Sequence, residues 1–192
     1  MVRFANAGDI AEIEANLPWP ASLPATTLYE QLTRTTEKHG GRNALTFQMF
    51  SGPKDKAETL TWRELHARVT QAANAFRALG VKETDTIAFV LPNCTENARV
   101  VVTLKEFPKT DVAQKMAEAV RNAPNVQVVL EVDLLRYLTG LKKFIVPFIR
   151  PKNPTGHRAR VVGWEAEVTK HPRDRLTFED GKTDRVAAYF HT

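Results

Sequence analysis

Apolar residues recur along this chain in two rhythms, one at spacings of three and four and one in short near-continuous runs. The first rhythm is clearest at Leu65, Val69, Ala72, Phe76 and Leu79. They share one helical face, Thr61-Trp62-Arg63-Glu64 ahead of them has the form of a capping box, and Gly80 sits at the stop. Thr27-Leu28-Tyr29-Glu30 has the same form and predicts a helix over 28–38, ended by a left-handed glycine at Gly40-Gly41. Between these helices, Ala44–Phe50 alternates like a strand, and Glu58–Thr61 returns as the second arm of a hairpin across a polar, turn-rich loop. The second rhythm follows. Thr86–Leu91, Val100–Leu104 and Val126–Leu130 read as strands covered on both faces, with a helix over 111–122 that offers Val112, Met116, Ala119 and Val120 to a core. Val161–Val168 is a weaker element and Val186–Phe190 a last strand. Residues 1–26 carry Pro18, Pro20 and Pro24 and are expected to form an extended N-terminal arm, with the body spanning 27–192.

Strands alternating with helices predict an α/β fold with a mostly parallel sheet and flanking helices. One connection conflicts with that picture. Only Pro92 to Arg99 separates the strands 86–91 and 100–104, whereas a parallel crossover takes a dozen residues or more. Either the two strands are not parallel neighbours, or a piece is missing between them.

Composition narrows the class. Hydrophobic residues make up 43% of the 192 and charged residues 26%, which suits a globular body able to hold a core without disulfides or metal. No run approaches the roughly 18 apolar residues of a membrane span. With no apolar signal-peptide core near Met1 and one cysteine, Cys94, the expected compartment is the cytoplasm. The net charge of +5 is uneven, −1 over residues 1–98 and +6 over 99–192. Much of the excess sits in 141–160, where Lys142, Lys143, Arg150, Lys152, Arg158 and Arg160 meet no acid. Such a stretch suits a solvated loop or an anionic surface. Phe144, Ile145, Phe148 and Ile149 lie among those basic residues, a mixture that an interfacial segment also needs. Pro147 argues against a regular helix there, so a buried apolar loop is the expectation.

Signals for chemistry are sparse. There is no G-x-G-x-x-G after a strand, no complete P-loop, no H-E-x-x-H and no G-x-S-x-G. His39, His66, His157, His171 and His191 lack ligand spacing and read as surface or structural residues. Cys94 has no base to activate it and reads as a packing residue, while Trp62 and Trp164 read as core anchors.

Several stretches in order resemble the N-terminal part of the acyl-CoA synthetases, members of the adenylate-forming, AMP-binding ligases. Leu60-Thr61-Trp62-Arg63-Glu64-Leu65 and the helix to Gly80 are similar to that family's early helix. Asp85–Glu96 resembles the strand and turn after it, Val101–Lys105 a later strand, and Asp184–Thr192 the strand that leads into the nucleotide loop. The resemblance covers about Leu28 to Thr192. It implies a partial N-terminal subdomain, with a βα unit of roughly 30 residues absent after Ala98. Family members use ATP, Mg²⁺ and coenzyme A to turn fatty or other carboxylic acids into acyl-adenylates and then thioesters. Of that machinery only Thr192 falls on a nucleotide-binding position, so the resemblance implies no catalytic residue, no metal ligand and no cofactor for this chain alone. Three readings stand: a partial ligase inactive by itself, a non-catalytic α/β module that uses 141–160 on anionic surfaces, and a longer enzyme with omitted segments. A homo-oligomer or partner covering the Ile87–Leu91 or Val100–Leu104 sheet edge is expected from such a deletion, as is weak contact with an anionic membrane, but no specific nucleic acid.

Overall fold

The computed structural model describes residues 6–16, 25–49, 52, 56–89, 98–152, 156–179 and 181. Helix α1 (Ala7–Asn16) replaces the expected extended arm over those residues. Its sequence is rich in helix formers, Asn6 Oδ1 accepts from the Gly8 and Asp9 N–H groups, and the helix ends before Pro18. Helix α2 (Leu28–His39) starts as predicted, with the Thr27 hydroxyl accepting from the Glu30 N–H. The reciprocal contact is displaced by one residue, since the Glu30 carboxylate takes the N–H and hydroxyl of Thr26, each at 2.9 Å. Gly40 is right-handed (φ −49°), contrary to the left-handed stop expected there. What requires glycine is space: a Cβ at position 40 would lie 2.7 Å from the Thr36 carbonyl oxygen.

Strands β1 (Asn43–Gln48) and β2 (Ala57–Thr61) form the antiparallel hairpin. Helix α3 (Trp62–Ala78) follows at once and has both halves of its capping box. Gly80, at φ +86°, supplies the left-handed turn beyond it. The expected apolar stripe of α3 packs on the sheet at Phe76 and Leu79, but the most deeply buried positions of the helix lie elsewhere. Thr70, Asn74 and Ala75 are its buried residues, while Val69 is exposed. Polar residues can occupy those positions because each is satisfied. Thr70 donates to the His66 carbonyl, so the Tyr29 hydroxyl, 2.7 Å away, is the donor to Thr70 Oγ1. Asn74 donates to the carbonyls of Pro172 and Arg175 and accepts from the N–H and hydroxyl of Thr177. It thereby clamps the segment 172–177 to the helix.

The central sheet has the order β3 (Thr86–Phe89), β4 (Ala98–Leu104), β5 (Val128–Val132), β6 (Arg160–Gly163), all parallel. Helix α4 (Val112–Asn122) lies on one face, where Met116 and Val120 meet Val101 and Val129. Phe76 and Leu79 with Trp164 cover the other face over Val100, Val102, Val128 and Leu130. Trp164 opens the short helix α6 (Trp164–Val168). Burial from both sides explains why these strands read as unbroken apolar runs. The short connection is resolved on one side: β3 and β4 are parallel neighbours, with only residues 90–97 between them. The chain thus falls short of an ordinary βαβ crossover at that point. Val100–Leu104, expected as an edge, lies inside the sheet with partners on both sides.

Helix α5 (Leu141–Ile149) corrects the loop expected at 141–152. It runs through Pro147, and its large apolar residues are exposed rather than buried. The strand expected at 186–190 lies outside the described residues. Among the described residues, no helix is long and apolar enough to cross a membrane.

Candidate functional site

The carboxyl ends of β4, β5 and β6 meet at one side of the sheet, the side where open α/β sheets bind ligands. Thr103, Glu131 and Gly163 stand opposite one another there. Thr103 is only 3% exposed, and its hydroxyl has no hydrogen-bond partner among the described residues. Burial raises the Glu131 carboxyl above its usual range, and the nearby Glu106 charge adds to this while Lys105 opposes it. Asp133 lies two residues on and caps the 3₁₀ turn Leu134–Tyr137 by accepting from the Leu135 N–H at 2.9 Å. Burial works against its charge, yet its ion pair with Arg150 and the Leu135 N–H hold the carboxyl below the usual range.

The same turn carries Arg136, which joins three parts of the fold. Its guanidinium donates to both carboxylate oxygens of Glu58, at 2.8 and 3.1 Å, and pairs with Glu165 at the start of α6. Arg68 of α3 reaches Glu58 at 2.7 Å, and Phe47 packs edge-on against Tyr137. Burial opposes ionisation of Glu58, but Arg68 and Arg136 outweigh it and lower its pKa. The network fixes the hairpin and α6 around the end of β5. It leaves these charges engaged with one another rather than directed at a substrate.

Two other places resemble sites and are explained by structure. Thr33 Oγ1 and His66 Nε2 lie 3.0 Å apart, a nucleophile–base distance. The Thr33 proton, however, goes to the Tyr29 carbonyl at 3.0 Å. A hydroxyl has one proton, so His66 is the donor in this pair and cannot serve there as a base. Burial lowers the His66 pKa, in keeping with a neutral ring tilted over Tyr29. Between α2 and α3 is an apolar groove of about 360 Å³ lined by Leu28, Tyr29, Leu32, Val69, Ala73 and Phe178. Its one nearby hydroxyl, on Tyr29, is committed to Thr70.

Thr192 and Cys94 lie outside the described residues, as does His191. Within 141–160, Arg150 is held by Asp133 and Arg158 donates to the Pro124 carbonyl at 2.8 Å, while Lys142, Lys143, Lys152 and Arg160 are exposed. Trp62 and Trp164 are half-buried, the latter 5.9 Å from the Phe76 ring, as core anchors. Sequence reasoning missed the Arg136 network and the Asn74 clamp, because their partners are up to 103 positions away. Among the described residues, no group of three His, Cys, Asp or Glu is placed to hold a metal.

Residues 32–104 match the family model of the AMP-binding enzymes, a stretch that runs from α2 to the end of β4. Over that stretch the chain is similar to the AMP-binding enzymes. Among curated relatives, it is 23% identical to the marinolic acid–CoA ligase of Pseudoalteromonas sp. over 97% of its own length and 30% of that protein's. It is 37% identical to the acetyl-coenzyme A synthetase of Thiobacillus denitrificans over 35% of the chain and 10% of the relative. The chain therefore spans less than a third of the length of these relatives. Solved structures share the fold. The adenylation domain of a carboxylate reductase from Mycobacterium chelonae superposes with a TM-score of 0.55 over 93% of this chain and 38% of that one, at 15% identity. A second, from Segniliparus rugosus, gives 0.55 over 84% of this chain and 33% of that one, at 14% identity. These two structures thus share the α/β fold of this chain.

Proposed function

We propose that this polypeptide is the N-terminal scaffold of an acyl-CoA synthetase. Such an enzyme activates a fatty or other carboxylic acid with ATP and passes the acyl group to coenzyme A. The observation that carries this reading is the family match over 32–104, supported by relatives that are themselves CoA ligases. The body spans 27–192 and works in the cytoplasm, and ATP, Mg²⁺ and coenzyme A belong to the whole enzyme.

The 192-residue polypeptide by itself is inactive in this reading, for a physical reason. Adenylation requires several phosphate charges to be held by backbone N–H groups, cations and Mg²⁺ while the carboxylate attacks in line. At the carboxyl end of the sheet, Arg150 and Arg136 are neutralised by Asp133, Glu58 and Glu165. Thr192 is the one position carried over from the nucleotide loop, and one hydroxyl cannot provide that grip.

The test is carboxylate-dependent ATP–pyrophosphate exchange, measured on the 192-residue polypeptide and on the same polypeptide extended through its flanking coding sequence. The expected result is no exchange from the first and exchange from the second. Exchange that scales with the 192-residue polypeptide through further purification overturns the scaffold reading.

A further inference from the structure

Helix α5 differs from the other helices in what it shows to water. Leu141, Phe144, Ile145, Phe148 and Ile149 follow one another at spacings of three, one, three and one. At 100° per residue they fill a single arc of about 140°. That stripe faces outward: Phe148 is 90% exposed, Leu141 73% and Phe144 71%. The least exposed side chain of α5 is Val146, on the opposite side. Pro147 and Lys143 also lie opposite the stripe, so the carbonyl that proline leaves without its helical donor stays on the polar side. Five large apolar side chains on one exposed face are more than the scattered surface residues of an ordinary protein.

Charge indicates what covers the stripe. From Leu134 to Trp164 the chain holds seven Lys or Arg and no Asp or Glu, and of the seven Arg136 and Arg150 form ion pairs with acids of other segments. Lys142 borders the stripe, and Lys143, Lys152 and Arg160 are also exposed. A second copy of the chain stacked stripe to stripe would bring these like charges together, which disfavours self-association. A surface that is apolar at depth and anionic at its rim matches both features at once. We propose that α5 is an interfacial helix, which seats Leu141, Phe144, Ile145, Phe148 and Ile149 among the acyl chains of an anionic phospholipid bilayer while the lysines contact the headgroup phosphates. The surface is independent of the ligase reading, since it uses no residue of the nucleotide machinery.

The experiment is flotation of the folded chain with vesicles of phosphatidylcholine containing phosphatidylglycerol, and with vesicles of phosphatidylcholine alone. The chain should float with the anionic vesicles, and partitioning should fall at least tenfold on the neutral ones. It should fall similarly as salt rises from about 0.1 M to 1 M, where the Debye length shortens from about 10 Å to 3 Å. Phe144→Ser with Phe148→Ser should lower partitioning at least tenfold, as should Lys142→Glu with Lys143→Glu. All four side chains are exposed, so circular dichroism and urea midpoints should be unchanged and loss of binding is not loss of fold. Failure of the folded parent chain to float with anionic vesicles at low salt overturns the proposal. Unchanged partitioning of the Phe144→Ser/Phe148→Ser variant also overturns it, as does a stable dimer that the same variant converts to monomer, which makes the stripe a self-interface.

Discussion

Replacing Asn74 by alanine should detach a whole segment from the fold. Asn74 is 1% exposed and makes four hydrogen bonds to 172–177. A neutral hydrogen bond contributes about 1 kcal/mol net, and a buried group left unpaired costs about 1–3 kcal/mol. Because Pro172, Arg175 and Thr177 are exposed and can be rehydrated, the loss should sit between the extremes, about 2–4 kcal/mol. Asn74→Asp separates this account from simple loss of volume. It keeps an acceptor for Thr177 but turns a carboxylate oxygen toward the Pro172 and Arg175 carbonyls, so it should be at least as damaging as alanine. Urea unfolding followed by tryptophan fluorescence gives the stability, and hydrogen exchange at the Thr177 amide reports the clamp itself. A loss under about 1 kcal/mol for Asn74→Ala, or unchanged Thr177 protection, would refute the reasoning.

Three further outcomes are expected. Gly80→Ala should cost about 1–2 kcal/mol by urea unfolding, since φ +86° disfavours any side chain and the new Cβ would press on the Arg99 guanidinium at 3.2 Å. Arg136→Met should lower stability by about 1 kcal/mol at low salt and by less at 1 M, because the Glu58–Arg136–Glu165 network is partly exposed and screened. Contacts from Thr26 and then Arg34 hold the Glu30 carboxyl at about 2. Its folded pKa lies below the unfolded one, so its contribution is complete above the unfolded value and disappears as pH falls from there through about 2. Glu30→Gln should therefore flatten the acid limb of the urea midpoint between those values and leave the pH 2 midpoint little changed.

Local rules recovered much of the fold. The capping box at Thr61–Glu64, the hairpin, Gly80 and the alternation of strands with helices are set by neighbours in the chain, so periodicity and cap chemistry expose them. The expectations failed where distant contacts decide. The most deeply buried positions of α3 include two polar residues because Asn74 and Thr70 find partners in 172–177 and in α2, which no local pattern contains. Pro18, Pro20 and Pro24 say nothing of residues 7–16, where helix formers prevail. At 141–149 the weight given to Pro147 concealed a regular helix with one apolar face. For the candidate site, the basic segment was legible from charge alone. The carboxyl-edge cluster of Thr103, Glu131, Asp133 and Arg150 was not, because sheet register brings Thr103 to Glu131 and an ion pair across 17 positions brings Arg150 to Asp133. The shortness of the connection between 86–91 and 100–104 was legible as a chain-length conflict, and the parallel pairing of β3 with β4 keeps that conflict in place.

The account depends most on where the grip for ATP resides, and equilibrium dialysis of the purified 192-residue polypeptide against labelled ATP and Mg²⁺ measures that directly. It should show no saturable site up to millimolar nucleotide, the upper end of ordinary enzyme affinities. One ATP bound per chain with saturation below that concentration would contradict it.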